Sequence, residues 1–246
     1  MVLKIKKFFN AKHLIGFGLA AAFFLEFRKG YFKDLPAYLK SRSFKPSART
    51  LVLILCSVPF VILFMHFADP VLLRHIQALH APVAQGVVIL GRFIGKNNNF
   101  WKILLTIYFL AIALRQEVWS KTAFGAILAS VLTGLASTGL KWTFLRYRPD
   151  GNPNSLSFFN WDGLVKDNNL FQSFPSGDVA LVTGACTYFF YAFKNHAFRW
   201  GIFLLPLATA FSRVSVNRHW PSDTLFSIFL GLVVARFVWD YRKTTI

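Results

Sequence analysis

TAFGAILASVLTGLASTGLKWTF, residues 122 to 144, runs for 23 positions with a single charge, Lys141, close to its end. A helix of that length covers the hydrocarbon thickness of a bilayer, and the run reads as a membrane span. Five further apolar segments flank it, at 51–67, 101–114, 178–193, 200–216 and 221–239. Segments 101–114 and 178–193 are short, but Lys102 and Lys194 beside them can keep their stems apolar and their ammonium groups at the interface. The expected fold class is therefore all-α: an integral membrane six-helix bundle spanning residues 51–246.

Residues 1–50 form a separate basic segment, with eleven Lys or Arg against two acids and one apolar stretch, Leu14 to Phe27. That stretch is too short to span and is expected to lie in the membrane interface as an N-terminal helix. A signal peptide is the competing reading, but no A-x-A-like exit follows and Arg28-Lys29 closes the run. The stretch 84–95 is also too short to span and reads as interfacial.

The composition agrees with a membrane protein, at 55% hydrophobic and 17% aromatic residues. A net charge of +18 implies attraction to polyanions. Hydropathy selects anionic membrane lipid as the partner and excludes nucleic acid. Cys56 and Cys186 lie in apolar runs, and the histidines at 13, 66, 75, 80, 196 and 219 show no paired-ligand spacing, so neither a disulfide framework nor a metal is expected. With the basic N-terminus in the cytoplasm, the turns holding Arg115 and Lys121, then Lys194 and Arg199, and the tail Arg242-Lys243 fall on the same side. The 68–100 segment, the 145–176 loop and the 213–221 turn then face outward.

Three stretches place costly ionisable residues at that outer face: KWTFLRYRP (141–149), FPSGD (174–178) and SRVSVNRHWPSD (212–223). Lys141, Arg148 and Arg213 are cations of the kind that hold phosphate oxygens. Pro175, Ser176 and Gly177 precede a helix whose free N–H groups favour an anion, and glycine lets the backbone approach it closely. Four residues before Asp223, His219 is placed for the carboxylate to hold one ring N–H and leave the other nitrogen free to attack. Alone, each block has a plain reading as interface anchor, aromatic belt or turn and cap; together they point to phosphate chemistry.

The ordered pattern is similar to the tripartite signature of the type 2 phosphatidic acid phosphatase superfamily. Lys141, Arg148 and Pro149 match its first block, Pro175, Ser176 and Gly177 its second, and Ser212, Arg213, His219 and Asp223 its third, so the resemblance covers about residues 51–240. It implies a metal-independent membrane lipid phosphatase. His219 attacks phosphorus to form a phosphohistidine, oriented by Asp223, while Lys141, Arg148, Ser176, Gly177 and Arg213 hold the phosphoryl oxygens and water completes the cycle.

Asp178 departs from the pattern, since the family has histidine there as the general acid. It reads as the acid itself, as a helix N-cap, or as a disabling substitution. A carboxyl titrates near ~4, so it serves as an acid only where burial or a bound dianion raises that value, and most readily for a good leaving group. A glycosyl 1-phosphate or a diphosphate leaves more easily than a simple alcohol, so lipid A 1-phosphate is the expected substrate. Undecaprenyl diphosphate and phosphatidylglycerophosphate follow, with a lipid phosphotransferase or a non-catalytic lipid binder as readings from other classes. The expected location is a bacterial inner membrane, with the site on the periplasmic face and cytoplasmic termini. In the loop 150–174, Phe158, Phe159 and Trp161 either dip beside the lipid headgroup or anchor the loop.

Overall fold

The computed structural model describes residues 11–41, 61–79, 81–95, 97–151, 154–161 and 169–245. Among these the chain is helical, without strands: α1 (Ala11–Arg28), α2 (Leu35–Ser41), α3 (Asp69–Gln77) entered through a π-helical turn at Phe64–Ala68, α4 (Pro82–Gly95), α5 (Asn97–Ala113), α6 (Glu117–Phe144), α7 (Gly177–Ala192), α8 (His196–Ser215) and α9 (Pro221–Thr245). Glu117–Phe144 and Pro221–Arg242 are long and apolar enough to cross a membrane, and Val61–Gln77 with Pro82–Gly95 makes a third if the bent pair is one span. Segments 101–114, 178–193 and 200–216 are helical as expected, while most of 51–67, including Cys56, lies outside the described residues, as does His80.

Helix α7 is the centre, buried without interruption from Val179 to Phe189, and α6, α8 and α9 pack around it. In lipid no hydrophobic force draws helices together, so close backbone approach at small residues has to do so. The glycines show this. A Cβ on Gly125 would meet the Tyr188 ring at 2.1 Å, one on Gly184 would meet Thr133 Oγ1 at 2.6 Å, and one on Gly231 would meet Thr183 Cβ at 2.6 Å. Ser130 adds a polar tie by donating from Oγ to the Leu181 carbonyl at 2.8 Å.

Gly91 is the tightest case: α4 lies so close to α8 that an added Cβ would sit 2.0 Å from the Ala208 carbonyl oxygen. A backbone atom cannot rotate away. Gly91→Ala is therefore expected to cost about 1–3 kcal/mol in detergent unfolding measurements. Gly139→Ala, with nothing within 4 Å, is expected to cost nothing, since alanine is the better helix former.

Helix α1 packs on α5 with Ile15 and Ala22 buried. Its opposite side leaves Leu14, Phe17, Phe24 and Phe27 exposed. At this end of the bundle Tyr108 donates to buried Glu26 at 3.0 Å, and Arg242 donates to the Lys121 carbonyl at 2.7 Å. The C-terminus of α9 thus meets the N-terminus of α6. Their other ends, about 40 Å away by the rise of α6, meet as well, and all three polar blocks converge there.

Candidate active site

Four helix ends build the site. The last turn of α6 carries Lys141, and α6 stops at Leu145, whose left-handed backbone (φ 42°) turns the chain into the Arg146–Arg148 stretch. Ser176 is the N-cap residue of α7, followed by Gly177 and Asp178. Arg213 lies in the last turn of α8. Asn217, a residue type that tolerates its positive φ of 59°, reverses the chain so that His219 and Asp223 meet the other blocks. Backbone bonds lock the loops together: Ser173 N donates to the Arg146 carbonyl at 3.0 Å, and Arg148 N to the Leu170 carbonyl at 2.7 Å.

Lys141, Arg148, Gly177, Asp178 and His219 line one cavity of about 500 Å³ together with Gln172, Leu19, Trp101, Val131, Leu135 and Leu181. One side is cationic and polar, the other apolar. Lys141 Nζ donates to the Gln172 carbonyl at 2.7 Å. The Nε atoms of Arg148 and Arg213 and the Oγ of Ser176 are buried with no partner in the structure. Buried donors without acceptors are costly; Arg148 lines the cavity directly, while Ser176 adjoins its Gly177 and Arg213 pairs with its Asp178. At Gly177 an added Cβ would make only ordinary contacts, 3.6 Å to Lys141 Cε and 3.8 Å to Ser137 Oγ, so its missing side chain leaves open space rather than tight packing.

His219 is held differently from the sequence expectation. Its Nδ1 lies 2.7 Å from the Ser173 carbonyl oxygen, whereas Asp223 Oδ2 stands 3.7 Å away, beyond hydrogen-bond reach. A carbonyl only accepts, so Nδ1 carries the proton and Nε2 keeps its lone pair. The physical reason is that Asp223 is already occupied. Its Oδ2 accepts from Ser173 Oγ at 2.5 Å and from Trp220 N at 2.9 Å, and its Oδ1 pairs with Arg146. The carboxylate therefore acts on the ring through charge and through Ser173.

Burial, with Lys141 and Arg148 adding to it and Asp223 opposing it, pushes the His219 imidazole down to about 4. The ring is neutral at physiological pH. Unfolded, it would take up a proton near ~6.5, so stability falls as pH drops from there toward 4 and is unaffected above. Its NMR resonance, assigned by loss in His219→Ala, is expected to titrate near pH 4; a midpoint near ~6.5 would contradict this burial.

Asp178 is not the cap, since the N-cap position belongs to Ser176; its carboxylate pairs with Arg213 Nη2 at 2.7 Å. Three residues absent from the sequence reading complete the centre. Arg146 and Asp69 are fully buried and paired at 2.7 Å, and Ser173 bridges His219 and Asp223. A lone aspartate in the apolar stretch before Gln77 was the signal of Asp69, and Arg146 sits inside KWTFLRYRP between the two matched cations. Phe158 lies over the Arg146 guanidinium, 4.8 Å from its centroid, while Phe159 and Trp161 are exposed. Trp220 is buried rather than part of an interfacial belt, with its Nε1 donating to the Tyr147 carbonyl at 3.0 Å. Among the described residues no group of three His, Cys, Asp or Glu is placed to hold a metal ion.

The family model described as the PAP2 superfamily matches residues 121–246, a region that holds all eight candidate residues but not Asp69. Two curated proteins of Porphyromonas gingivalis are similar. Its lipid A 4'-phosphatase is 25% identical over 141 residues, 56% of this chain and 59% of that protein. Its lipid A 1-phosphatase is 26% identical over 122 residues, 49% of this chain and 24% of that protein. The chain thus spans less than two thirds of the length of either. The crystal structure of Aquifex aeolicus LpxE shares the fold, with a TM-score of 0.52 at 20% identity, covering 70% of this chain and 95% of that one.

Proposed function

We propose, from the premise that this chain belongs to the PAP2 superfamily, that it is a membrane lipid phosphatase acting on a phosphorylated lipid headgroup, lipid A 1-phosphate foremost. One observation carries this reading: His219 spends Nδ1 on the Ser173 carbonyl and so keeps Nε2 as a nucleophile, in a cavity that Lys141 and Arg148, its Nε unpartnered, also line. The apolar wall of Leu19, Trp101, Val131, Leu135 and Leu181 suits a substrate with acyl chains beside its phosphate.

In this mechanism Nε2 attacks phosphorus, the bond to the headgroup oxygen breaks, and that oxygen takes a proton from Asp178. Lys141, Arg148, Ser176, the Gly177 backbone and Arg213 hold the phosphoryl oxygens. A phosphate that engages Arg213 displaces Asp178 from its ion pair and leaves the carboxyl beside a negative neighbour, the setting in which it holds a proton. Water then attacks the phosphohistidine, gives its proton to Asp178 and releases phosphate. No step calls for a metal. A complete membrane arrangement of six spans, with the site on the periplasmic face of a bacterial inner membrane, belongs to the same reading, whereas α1, packed along α5 with Leu19 in the cavity wall, does not fit a helix confined to the cytoplasmic interface.

Phosphate release from purified protein on lipid A, undecaprenyl diphosphate, phosphatidylglycerophosphate and phosphatidic acid tests it. Lipid A is expected to turn over fastest with loss of its 1-phosphate; clear preference for phosphatidic acid would sink the leaving-group argument. Loss of the 4'-phosphate instead is a second reading, favoured by the similarity to the 4'-phosphatase. Release without any acceptor lipid separates hydrolysis from phosphotransfer.

A further inference from the structure

Behind His219 lies a second, wholly buried cluster drawn from three distant parts of the chain. Arg146, after α6, has five N–H donors, and all are used. Nε donates to the Ser155 carbonyl at 3.0 Å and Nη2 to the same oxygen at 2.6 Å. Nη2 also donates to Asp69 Oδ2 at 2.7 Å, and Nη1 to Ser222 Oγ at 2.8 Å and to Asp223 Oδ1. Asp69, at the start of α3, additionally accepts from Ser222 N at 2.8 Å and from Ser222 Oγ at 2.6 Å. Arg146, Asp69 and Asp223 are each 0% exposed.

The charge arrangement is informative. An Arg146–Asp223 pair alone sums to zero, and a neutralised Asp223 does little for a ring that turns cationic when its Nε2 bonds to phosphorus. A second carboxylate on the same guanidinium brings the cluster to one net negative charge. Low-dielectric surroundings make that charge count.

We propose that Asp69 and Arg146 are positioning residues for phosphoryl transfer: Arg146 fixes Asp223, and Asp69 offsets the Arg146 charge so that Asp223 stays effectively anionic beside His219. The inference rests on His219 as the nucleophile. Nothing in the matched family region assigns Asp69, which lies outside it.

The test compares Asp69→Asn with the double variant Asp69→Asn/Arg146→Gln, reading kcat, KM and the NMR titration of His219. The ring faces Lys141 from α6, Arg148 from the following loop and Asp223 from α9, while Asp178 of α7 and Arg213 of α8 pair with each other. Asp69→Asn takes the cluster from one negative charge to none. It is expected to lower kcat about tenfold or more at unchanged KM and to move the His219 midpoint down by about one pH unit. The double variant restores the net charge while losing more hydrogen bonds. Its midpoint is expected to return toward that of the unaltered protein although its thermal stability falls further.

A purely structural role predicts the opposite order, with the double variant worse in every reading. That result, or an unmoved midpoint and kcat in Asp69→Asn, overturns the proposal. If Asp69→Asn does not fold, Asp69→Glu decides, because it keeps the charge: an unmoved midpoint with kcat retained supports the proposal, and a shifted midpoint or a lowered kcat refutes it. The titration does not depend on turnover. Activity surviving in His219→Ala would therefore defeat the functional reading without being confused with failure of the charge-offset argument.

Discussion

His219→Ala is expected to cut phosphate release by at least about 10⁴-fold, because it removes the nucleophile and leaves only binding and charge stabilisation. The accompanying observation is covalent. Brief exposure of the unaltered protein to radiolabelled lipid phosphate, followed by alkaline denaturation, should leave label on the chain as an acid-labile phosphoramidate; the variant should carry none. Folding is not expected to confound the result. The Nδ1 bond to the Ser173 carbonyl is one contact among many at this end of the bundle, and Asp223 retains its bonds to Ser173, Trp220 and Arg146 without the ring. Unchanged turnover in His219→Ala would refute the mechanism outright.

The second large effect is expected at Asp178, and it depends on the leaving group. Asn keeps the shape of the carboxyl but has no acidic proton to give. Asp178→Asn should therefore lose about 10²–10⁴-fold on a lipid whose leaving oxygen needs protonation. On an activated aryl phosphate, which departs as a stable anion, the loss in the initial burst of aryl release, before water attack calls on Asp178 as base, should shrink to within about tenfold. A residue that merely held Arg213 in place would lower both rates alike, through their shared 2.7 Å ion pair. Equal losses on the two substrates would assign Asp178 to phosphate-site geometry instead of acid catalysis.

What could be read in advance follows from where polar residues are tolerated. Lys141, Arg148, Asp178, Arg213, His219 and Asp223 stood out because each lies where an apolar run ends or begins and an ionisable side chain needs a reason, and Ser176 and Gly177 because they open a helix whose free N–H groups favour an anion. The structure brings all eight to one end of the bundle. The pairing of Asp69 with Arg146 gave no such signal, since 77 positions separate them in sequence and a lone aspartate near an apolar run reads as a topology marker. The hold on His219 was harder still. Its partner is the backbone carbonyl of Ser173, which has no letter in a sequence, so a carboxylate four residues away was the natural guess. Helix count had the same limit: α5 and α7 take 17 and 16 residues, and packing at Gly125 and Gly184, not length, is what seats α7 at the centre.

The Asp69–Arg146 contact also bears on modularity. Residues 121–246 carry the whole recognisable signature, and on that ground they invite excision as a minimal catalytic unit. Yet Arg146, fully buried, takes one of its two carboxylates from α3, and Ser155 Oγ donates to the Met65 carbonyl at 2.6 Å. A fragment starting at α6 would keep every signature residue while exposing the guanidinium's flank and stripping the counter-charge from behind His219. The boundary of likeness and the boundary of the working enzyme therefore fall in different places, with the second some fifty residues upstream, before the turn that leads into α3.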